Sequence, residues 1–505
     1  KNIINNFLFY IIPIFLGSIT SFSLPPYNFF FLNFLTLSIF FIFFVSNFKN
    51  NNLKAFLIGW LFGFGYFISS LYWIINSLTF EEIFKPLIPV ALFLIPSFLA
   101  LFYGLATFIL ALFKIDKNYS SILLFALVLS IIEFFRGIIL GGFPWNLIAY
   151  SWTSYTDYLQ ILSFIGTYSF NLISTTLFLI PVIIILKKQL NSKLIVIIFL
   201  ILLMGSNFYF GKSIKNEYSN LESIKLDTKI KIISPNIEMQ RYFQNEDPIL
   251  IINELIQLGK SDVEKAIFVF PEGSFPGIFL EDLYTYKKIF RENFSEKDKI
   301  VLGINSIENS NIYNSMVVLD NNLNILEKYK KNKLVPFGEF LPFEDLFSSI
   351  GLKKITQGYI SFSSHNQREI LNIDNLSFLP LICYEIIYSG RLKKNNHDFD
   401  FILNISEDGW FGDSIGPHQH FAHSIFRSIE EGKNLIRSTN GGISAYIDST
   451  GRIIDKIKST DKGVIEVKSY KKTSKTFFSN NGNKIFFYFL LFYISLIFFL
   501  KRKGN

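Results

Sequence analysis

Across 505 residues the chain has one cysteine, three methionines and five histidines, and only 17% of it is charged. A single thiol cannot form an internal disulfide, so no disulfide framework supports this fold. The formal net charge of +8 is modest at this length and calls for no nucleic-acid partner. No basic stripe interleaved with aromatics runs along the chain, which excludes the usual single-strand binding surface. Apolar side chains, by contrast, are abundant. Half the residues are hydrophobic, 60 are Phe, and mean hydropathy is +0.35. A soluble protein of this size carries fewer apolar residues, in shorter runs.

Apolar segments of near-spanning length lie at about 7–22, 29–47, 55–77, 87–113, 120–141, 163–186, 194–210 and 485–500. Crossing ~30 Å of hydrocarbon takes roughly 17–25 helical residues, so the first and last segments are at the short end. The chain starts at Lys1, and its first apolar stretch lacks a small-residue cleavage site, so it is expected to remain as an anchor. Between Lys212 and about Asn483 charges become frequent and apolar runs shrink to 4–8 residues separated by Gly, Asn, Asp and Pro. The expected organisation is therefore a seven-helix membrane region over 1–211, a water-soluble domain over 212–483, and a last span with a basic tail over 484–505. If eight helices alternate, Lys1, Lys49, Lys54, Lys114, Lys117, Lys187, Lys188, Lys193, Lys501, Arg502 and Lys503 share one side. The opposite short loops hold Lys85 and little else that is basic. The positive-inside rule then puts both termini in the cytoplasm and the soluble domain outside it.

Within that domain, short β-prone runs end in polar chemistry. Ala266–Phe270 leads into PEGSFPG, Phe378–Ile382 into Cys383, and Phe401–Ile405 into SEDGWFGDSIG. Helical stretches such as 417–434 lie between such runs, which predicts an α/β layered domain with functional groups at strand ends. A catalytic Cys383 needs a base, because an ordinary thiol with a pKa of about 8.5 is only slightly ionised at neutral pH. Glu272 is the right type of group. An ammonium such as Lys331 would stabilise an oxyanion, with Glu339 holding it charged. By spacing alone these residues mean little, and a buried structural cysteine is the commoner role.

The local strings FPEGSFPG, KNKLVPFGEFLPFE, LICYEII, NISEDGWFGDSIGPHQH and RSTNGGISAYIDSTGRI together resemble the carbon–nitrogen hydrolase (nitrilase) superfamily. The resemblance is closest to its membrane branch, the apolipoprotein N-acyltransferases, and covers essentially the whole chain. SFSLPPYN (21–28), GFGYFISSLYWI (63–74) and EFFRGIILGGFPWN (133–146) look like patterns of that branch too. The resemblance implies a polytopic α-helical membrane protein, with about eight transmembrane helices and an inserted nitrilase-like αββα-sandwich domain. It implies a Glu–Lys–Cys triad on Glu272 (proton acceptor), Lys331 (oxyanion stabiliser) and Cys383 (nucleophile), with Glu339 supporting. Tyr384 and Glu385 match residues that follow the nucleophile, and Trp410 matches an aromatic near the substrate entrance. With Trp145 and Arg136 they form the expected substrate-binding set. The chain departs from the family where Glu407-Asp408 replaces Asn-Asp, where Asn440-Gly441-Gly442 replaces Asn-Asn-Gly, and in PNIEMQ over 235–240.

Other readings compete at several positions. Lys330, Lys331 and Lys333 could form an ordinary exposed face. His418, His420 and His423 invite a zinc reading, but i and i+2 neighbours do not share a helix face and no suitable acid completes a site. Packing under the loop is the expected role for His420 and His423. Glu133 and Arg136, three apart on one helix face, either pair with each other or let Arg136 meet a lipid phosphate. Trp145 is an interfacial aromatic or a pocket wall. The Gly59–Gly63 pair is too common a pattern in membrane helices to read alone.

If the resemblance holds, Cys383 takes an acyl chain from a phospholipid, most plausibly phosphatidylethanolamine, as a thioester. It then passes the chain to the α-amine of a diacylglyceryl-cysteine at a lipoprotein N-terminus. No metal or organic cofactor is needed, and a monomer is expected. A cleft open sideways, with a loop at 406–416 that moves, would admit lipid. A membrane-anchored amidase using the same triad with water as acceptor is the alternative. A transporter is disfavoured because the spans show no two-half repeat.

Overall fold

The computed structural model describes residues 2–242, 247–260, 264–275, 277–349, 354, 361–392 and 398–502. Lys1 and Lys503 of the basic set and Pro276 of PEGSFPG lie outside the described residues. The chain divides into two compact units. One comprises 1–75, 86–216 and 477–505, and the other comprises 76–85 and 217–476.

The first unit is helical. All eight apolar segments form helix, and six helices are long and apolar enough to cross a membrane: Asn52–Leu78, Glu82–Leu112, Tyr119–Arg136, Leu162–Ile185, Leu190–Asn220 and Lys484–Arg502. Phe7–Ser21 and Leu32–Asn47 are apolar but shorter. The expected span at 120–141 stops at Arg136, where Gly137 caps the helix. The Gly59–Gly63 pair acquires a specific role here. A Cβ on Gly59 would lie 2.4 Å from the Tyr103 carbonyl oxygen, and one on Gly63 would lie 2.8 Å from the Tyr103 Cβ. Bare glycine lets these two helices approach closely enough for dispersion to hold them in an environment where the hydrophobic effect does not.

The second unit contains two six-stranded sheets. The first is built from β1 (Ile224–Ser234), β2 (Ala266–Val269), β3 (Lys299–Glu308), β4 (Asn311–Leu319), β5 (Ile325–Lys330) and β12 (Gly463–Tyr470), in the order β12-β1-β2-β3-β4-β5. The second is built from β6 (Leu371–Ile373), β7 (Leu376–Ile382), β8 (Phe401–Glu407), β9 (Asn434–Asn440), β10 (Ser444–Ile447) and β11 (Ile453–Ile457), in the order β11-β10-β9-β8-β7-β6. Strands β1, β2 and β3 run parallel, as do β7, β8 and β9, with Phe378 opposite Phe401 and Phe401 opposite Asn434. Such strands are covered on both faces, which is why β2 is an apolar run without polar alternation and why both β2 and β8 are buried throughout, the latter including Asn404, Ser406 and Glu407.

The sheets pack face to face. Ile230, Ile267, Val301 and Val318 of the first meet Phe378, Phe401, Leu403 and Ile436 of the second in one apolar core. Ile252, Leu255 and Ile256 of the helix Pro248–Gly259 cover the outer face of the first sheet. The helix Gly416–Glu431 packs on β9 of the second. The layers therefore follow the order helix, sheet, sheet, helix. The expected sandwich is present, and its parallel strands deliver their C-terminal ends to one edge, the usual place for a site in α/β sheets.

Candidate active site

Glu272 follows β2, Lys331 follows β5, and Cys383 follows β7. Three strand ends from two sheets thus bring together residues spread over more than a hundred positions. Lys331 Nζ donates to Glu272 Oε1 at 3.1 Å and to Glu339 Oε1 at 2.9 Å. Asn314 of β4 spans the same two carboxylates, its Nδ2 lying 2.6 Å from Glu272 Oε1 and 2.7 Å from Glu339 Oε1. Backbone donors hold the outer oxygens: Glu407 N reaches Glu272 Oε2 at 2.9 Å and Val335 N reaches Glu339 Oε2 at 2.8 Å.

The ambiguity among the three lysines is resolved by burial. Lys331 is 1% exposed, Lys333 is exposed, and Lys330 is paired at the surface with Glu308. Burial works against the Lys331 charge, but Glu272 and Glu339 outweigh it and hold the ammonium well above the ordinary lysine range.

Cys383 is partly exposed and adopts φ +49°, a left-handed conformation that costs a non-glycine residue roughly 1–3 kcal/mol. The sharp turn leads from β7 into the short helical segment Cys383–Ile387, and the Cys383 side chain packs at the margin of the inter-sheet core. Burial pushes the thiol pKa well above its usual value. The Glu272 charge adds to the rise, while Lys331 opposes it. The group at rest is thus a neutral thiol beside a carboxylate and an ammonium, which suits proton removal during attack.

Behind Cys383 lies a second buried network. Asp408 Oδ1 is 2.8 Å from His420 Nδ1 and accepts from Ser406 Oγ at 2.6 Å, and Asp408 Oδ2 accepts from an Arg437 Nη2 at 2.7 Å. Burial alone would raise the Asp408 carboxyl, but His420 and Arg437 bring it down to about 2. Burial lowers the His420 pKa, so the ring is neutral at pH 7. His420 and His423 are fully buried within the helix, and among the described residues no group of three or more His, Cys, Asp or Glu side chains has metal-site geometry.

Comparison with known proteins now bears on these observations. The model of the apolipoprotein N-acyltransferase N-terminal domain matches residues 16–179, and that of the carbon–nitrogen hydrolases matches 240–469. An apolipoprotein N-acyltransferase from Agrobacterium fabrum is 30% identical over 502 residues, spanning 95% of this chain and 93% of that protein. The chain belongs to the apolipoprotein N-acyltransferase family. Another apolipoprotein N-acyltransferase, from Rhizobium rhizogenes, is 28% identical over 97% of this chain and 95% of its own. A solved carbon–nitrogen hydrolase superfamily protein from Xanthomonas campestris is similar over 50% of this chain and 91% of its own, at 12% identity and a TM-score of 0.35.

Departures from the apolipoprotein N-acyltransferase pattern have local explanations. Gly441 has φ +60°, a conformation that glycine and asparagine both tolerate, so Gly in place of Asn leaves the turn intact. Glu407 is buried, with its carboxylate accepting from Asn440 Nδ2 at 2.9 Å and Gly409 N at 2.9 Å. Its side chain therefore braces the loop, while its backbone serves Glu272.

Four residues of the expected substrate-binding set are placed differently from expectation. Glu385 is 0% exposed, and its carboxylate is engaged by protein donors, including Ile382 N at 2.8 Å. Tyr384 is buried edge-on against Tyr388, with centroids 5.5 Å apart. Arg136 is 1% exposed, its Nε donating to Glu133 Oε2 at 2.9 Å and its Nη1 donating to the Phe143 carbonyl, which is the intrahelical pair of the two expected alternatives. Trp145 is buried, 5.0 Å from Trp73 and stacked on Phe143, and is not an interfacial aromatic. Trp410 alone is half-exposed, set edge-on to Phe80 at 5.6 Å in a turn whose Phe411 carbonyl accepts from Asn76. Sequence reasoning missed Asn314. A buried Asn in the run NIYNSMVVL was its only signal.

Proposed function

We propose that the chain transfers a fatty acyl group from a phospholipid to the N-terminal α-amine of a diacylglyceryl-cysteine on a lipoprotein. The observation that carries this reading is Lys331 held between Glu272 and Glu339, close enough to Cys383 for its charge to act on the thiol. Glu272 takes the proton as Cys383 attacks the ester carbonyl, and Lys331 stabilises the oxyanion. Glu272 then protonates the departing glycerol oxygen, leaving a thioester and a lysophospholipid. An α-amine of pKa near 8 is partly neutral at pH 7. It attacks the thioester, Glu272 accepts its proton, and the amide forms as Cys383 is released. Phosphatidylethanolamine is the proposed donor. The proposed setting is the bacterial cytoplasmic membrane, with the two-sheet unit on its outer side and the enzyme acting as a monomer. Transfer at the bilayer surface fits substrates whose acyl chains cost about 0.8 kcal/mol per CH₂ to remove from lipid.

Intact-mass analysis after exposure to phosphatidylethanolamine micelles tests this reading. Wild type is expected to gain one hydroxylamine-labile acyl group, and Cys383→Ser and Glu272→Gln none. A wild-type protein that stays unmodified while releasing ammonia from small amides would overturn it in favour of hydrolysis.

A further inference from the structure

Lys331 and Cys383 leave different sheets, so something must fix the distance between them. The side chain that joins the two exits is Glu385. Its Oε2 accepts from Ile382 N at 2.8 Å, the residue just before Cys383. Its Oε1 accepts from Asn332 N at 3.0 Å and Lys333 N at 3.2 Å, the residues just after Lys331. One carboxylate thus grips the backbone beside the nucleophile and the backbone beside the ammonium.

Two further groups hold that carboxylate. Tyr329, at the end of β5, donates to Oε1 at 2.7 Å, and Arg368 Nη2 donates to the same oxygen at 2.5 Å. Arg368 also donates from Nε to Tyr329 Oη at 3.1 Å and from Nη1 to the Leu392 carbonyl at 2.6 Å. The guanidinium is nearly buried and is the cation paired with a fully buried carboxylate. Its planar fork meets Glu385, Tyr329 and the chain leaving the nucleophile turn at once. A lysine, with one nitrogen, cannot repeat that arrangement.

We propose that Arg368, acting through Glu385 and Tyr329, is a positioning residue that sets the spacing between Lys331 and Cys383. The charges facing the thiol are Glu272, Lys331 and Asp408, with Ser406 in hydrogen-bond reach and His420 packed behind. Lys331 is the one charge among these that favours the thiolate, with the Ser406 hydroxyl adding a hydrogen bond, so displacing Lys331 weakens the thiolate and the oxyanion of the transfer step together. A purely structural arginine would lower thermal stability and leave the electrostatics of the folded site alone.

The transfer arm of the test rests on the proposed function, whereas the thiol arm does not. Cys383 is the only cysteine in the chain, so alkylation by iodoacetamide, read by intact mass, reports this site without ambiguity. The full chain in detergent is compared as wild type, Arg368→Lys and Tyr329→Phe, with folding checked by circular dichroism. For Arg368→Lys the thiolate fraction at a fixed pH is expected to fall about threefold or more, with the alkylation curve moving to higher pH. Acylation by phosphatidylethanolamine is expected to slow by about 10- to 100-fold, as for a catalytic group displaced by a fraction of an ångström. Tyr329→Phe should change both in the same direction and by less. A folded Arg368→Lys with the wild-type alkylation curve overturns the inference. If that variant does not fold, a wild-type curve for Tyr329→Phe does so instead. A wild type that takes up no acyl group sinks the proposed function, and the alkylation curves still decide this one.

Discussion

An ammonium sealed between two carboxylates beside a protonated thiol makes specific demands on each residue. Glu272 raises the thiol pKa and is also the group that must accept the thiol proton, so its two effects separate on mutation. In Glu272→Gln the alkylation curve of Cys383 should move to lower pH while acyl transfer falls by about 10²–10⁴-fold, the usual contribution of a general base. A curve moving to higher pH would contradict the assignment. Lys331→Met leaves Glu272 and Glu339 buried without their cation. Removing one partner of such a group costs about 3–5 kcal/mol, which thermal denaturation in detergent should show as a lower melting temperature. The Lys331 pKa is raised in the folded state, so its contribution is complete below the unfolded value near 10.4 and is lost only as pH climbs beyond it. The deficit of the variant should therefore be fully present at pH 7.

Strands set where these groups stand. Glu272 leaves β2 beside Gly303 of β3, where an added Cβ would lie 2.5 Å from the Glu272 Cα. No side chain fits there without moving the glutamate. Gly303→Ala is expected to lower the rate of acylation by about 10²-fold, with a smaller change in phospholipid affinity, since the reacting geometry is displaced while the lipid contacts stay. Steady-state kinetics separating kcat from KM checks this, and a change confined to KM would contradict it. The same element-level reasoning covers the strained Cys383 turn. The preceding apolar run makes β7 a buried parallel strand, and the Glu385 carboxylate bonded to Ile382 N supports the turn that follows it.

At the scale of the whole molecule, the chain joins a helical unit to a two-sheet unit, and the asymmetry of its lysines proposes opposite compartments for their loops. In a Cys383→Ser background, Lys458→Cys on the two-sheet unit should react with a membrane-impermeant maleimide in spheroplasts, and Asn50→Cys should not. The reverse pattern would invert the topology. Much of this architecture was legible as hydropathy. Spanning-length apolar runs became helices, and the runs ending at Phe270, Ile382 and Ile405 became strands whose ends meet. Less legible was which polar residues look outward. Arg136, Trp145, Tyr384 and Glu385 were expected to meet substrate, yet each is buried against protein. A sequence gives the kind of group and its local periodicity, but whether a charge faces lipid, a ligand or a partner depends on chain segments far away in sequence. By itself the sequence determined the membrane helices, the buried strands and the presence of a single thiol, because these follow from local apolar patterning and from residue type. Only the tertiary structure decided that Lys331 rather than Lys330 is sealed between carboxylates, that Asn314 bridges them, and that Arg368 reaches Glu385. Those facts depend on long-range packing, where burial makes each unpaired charge too costly to leave alone.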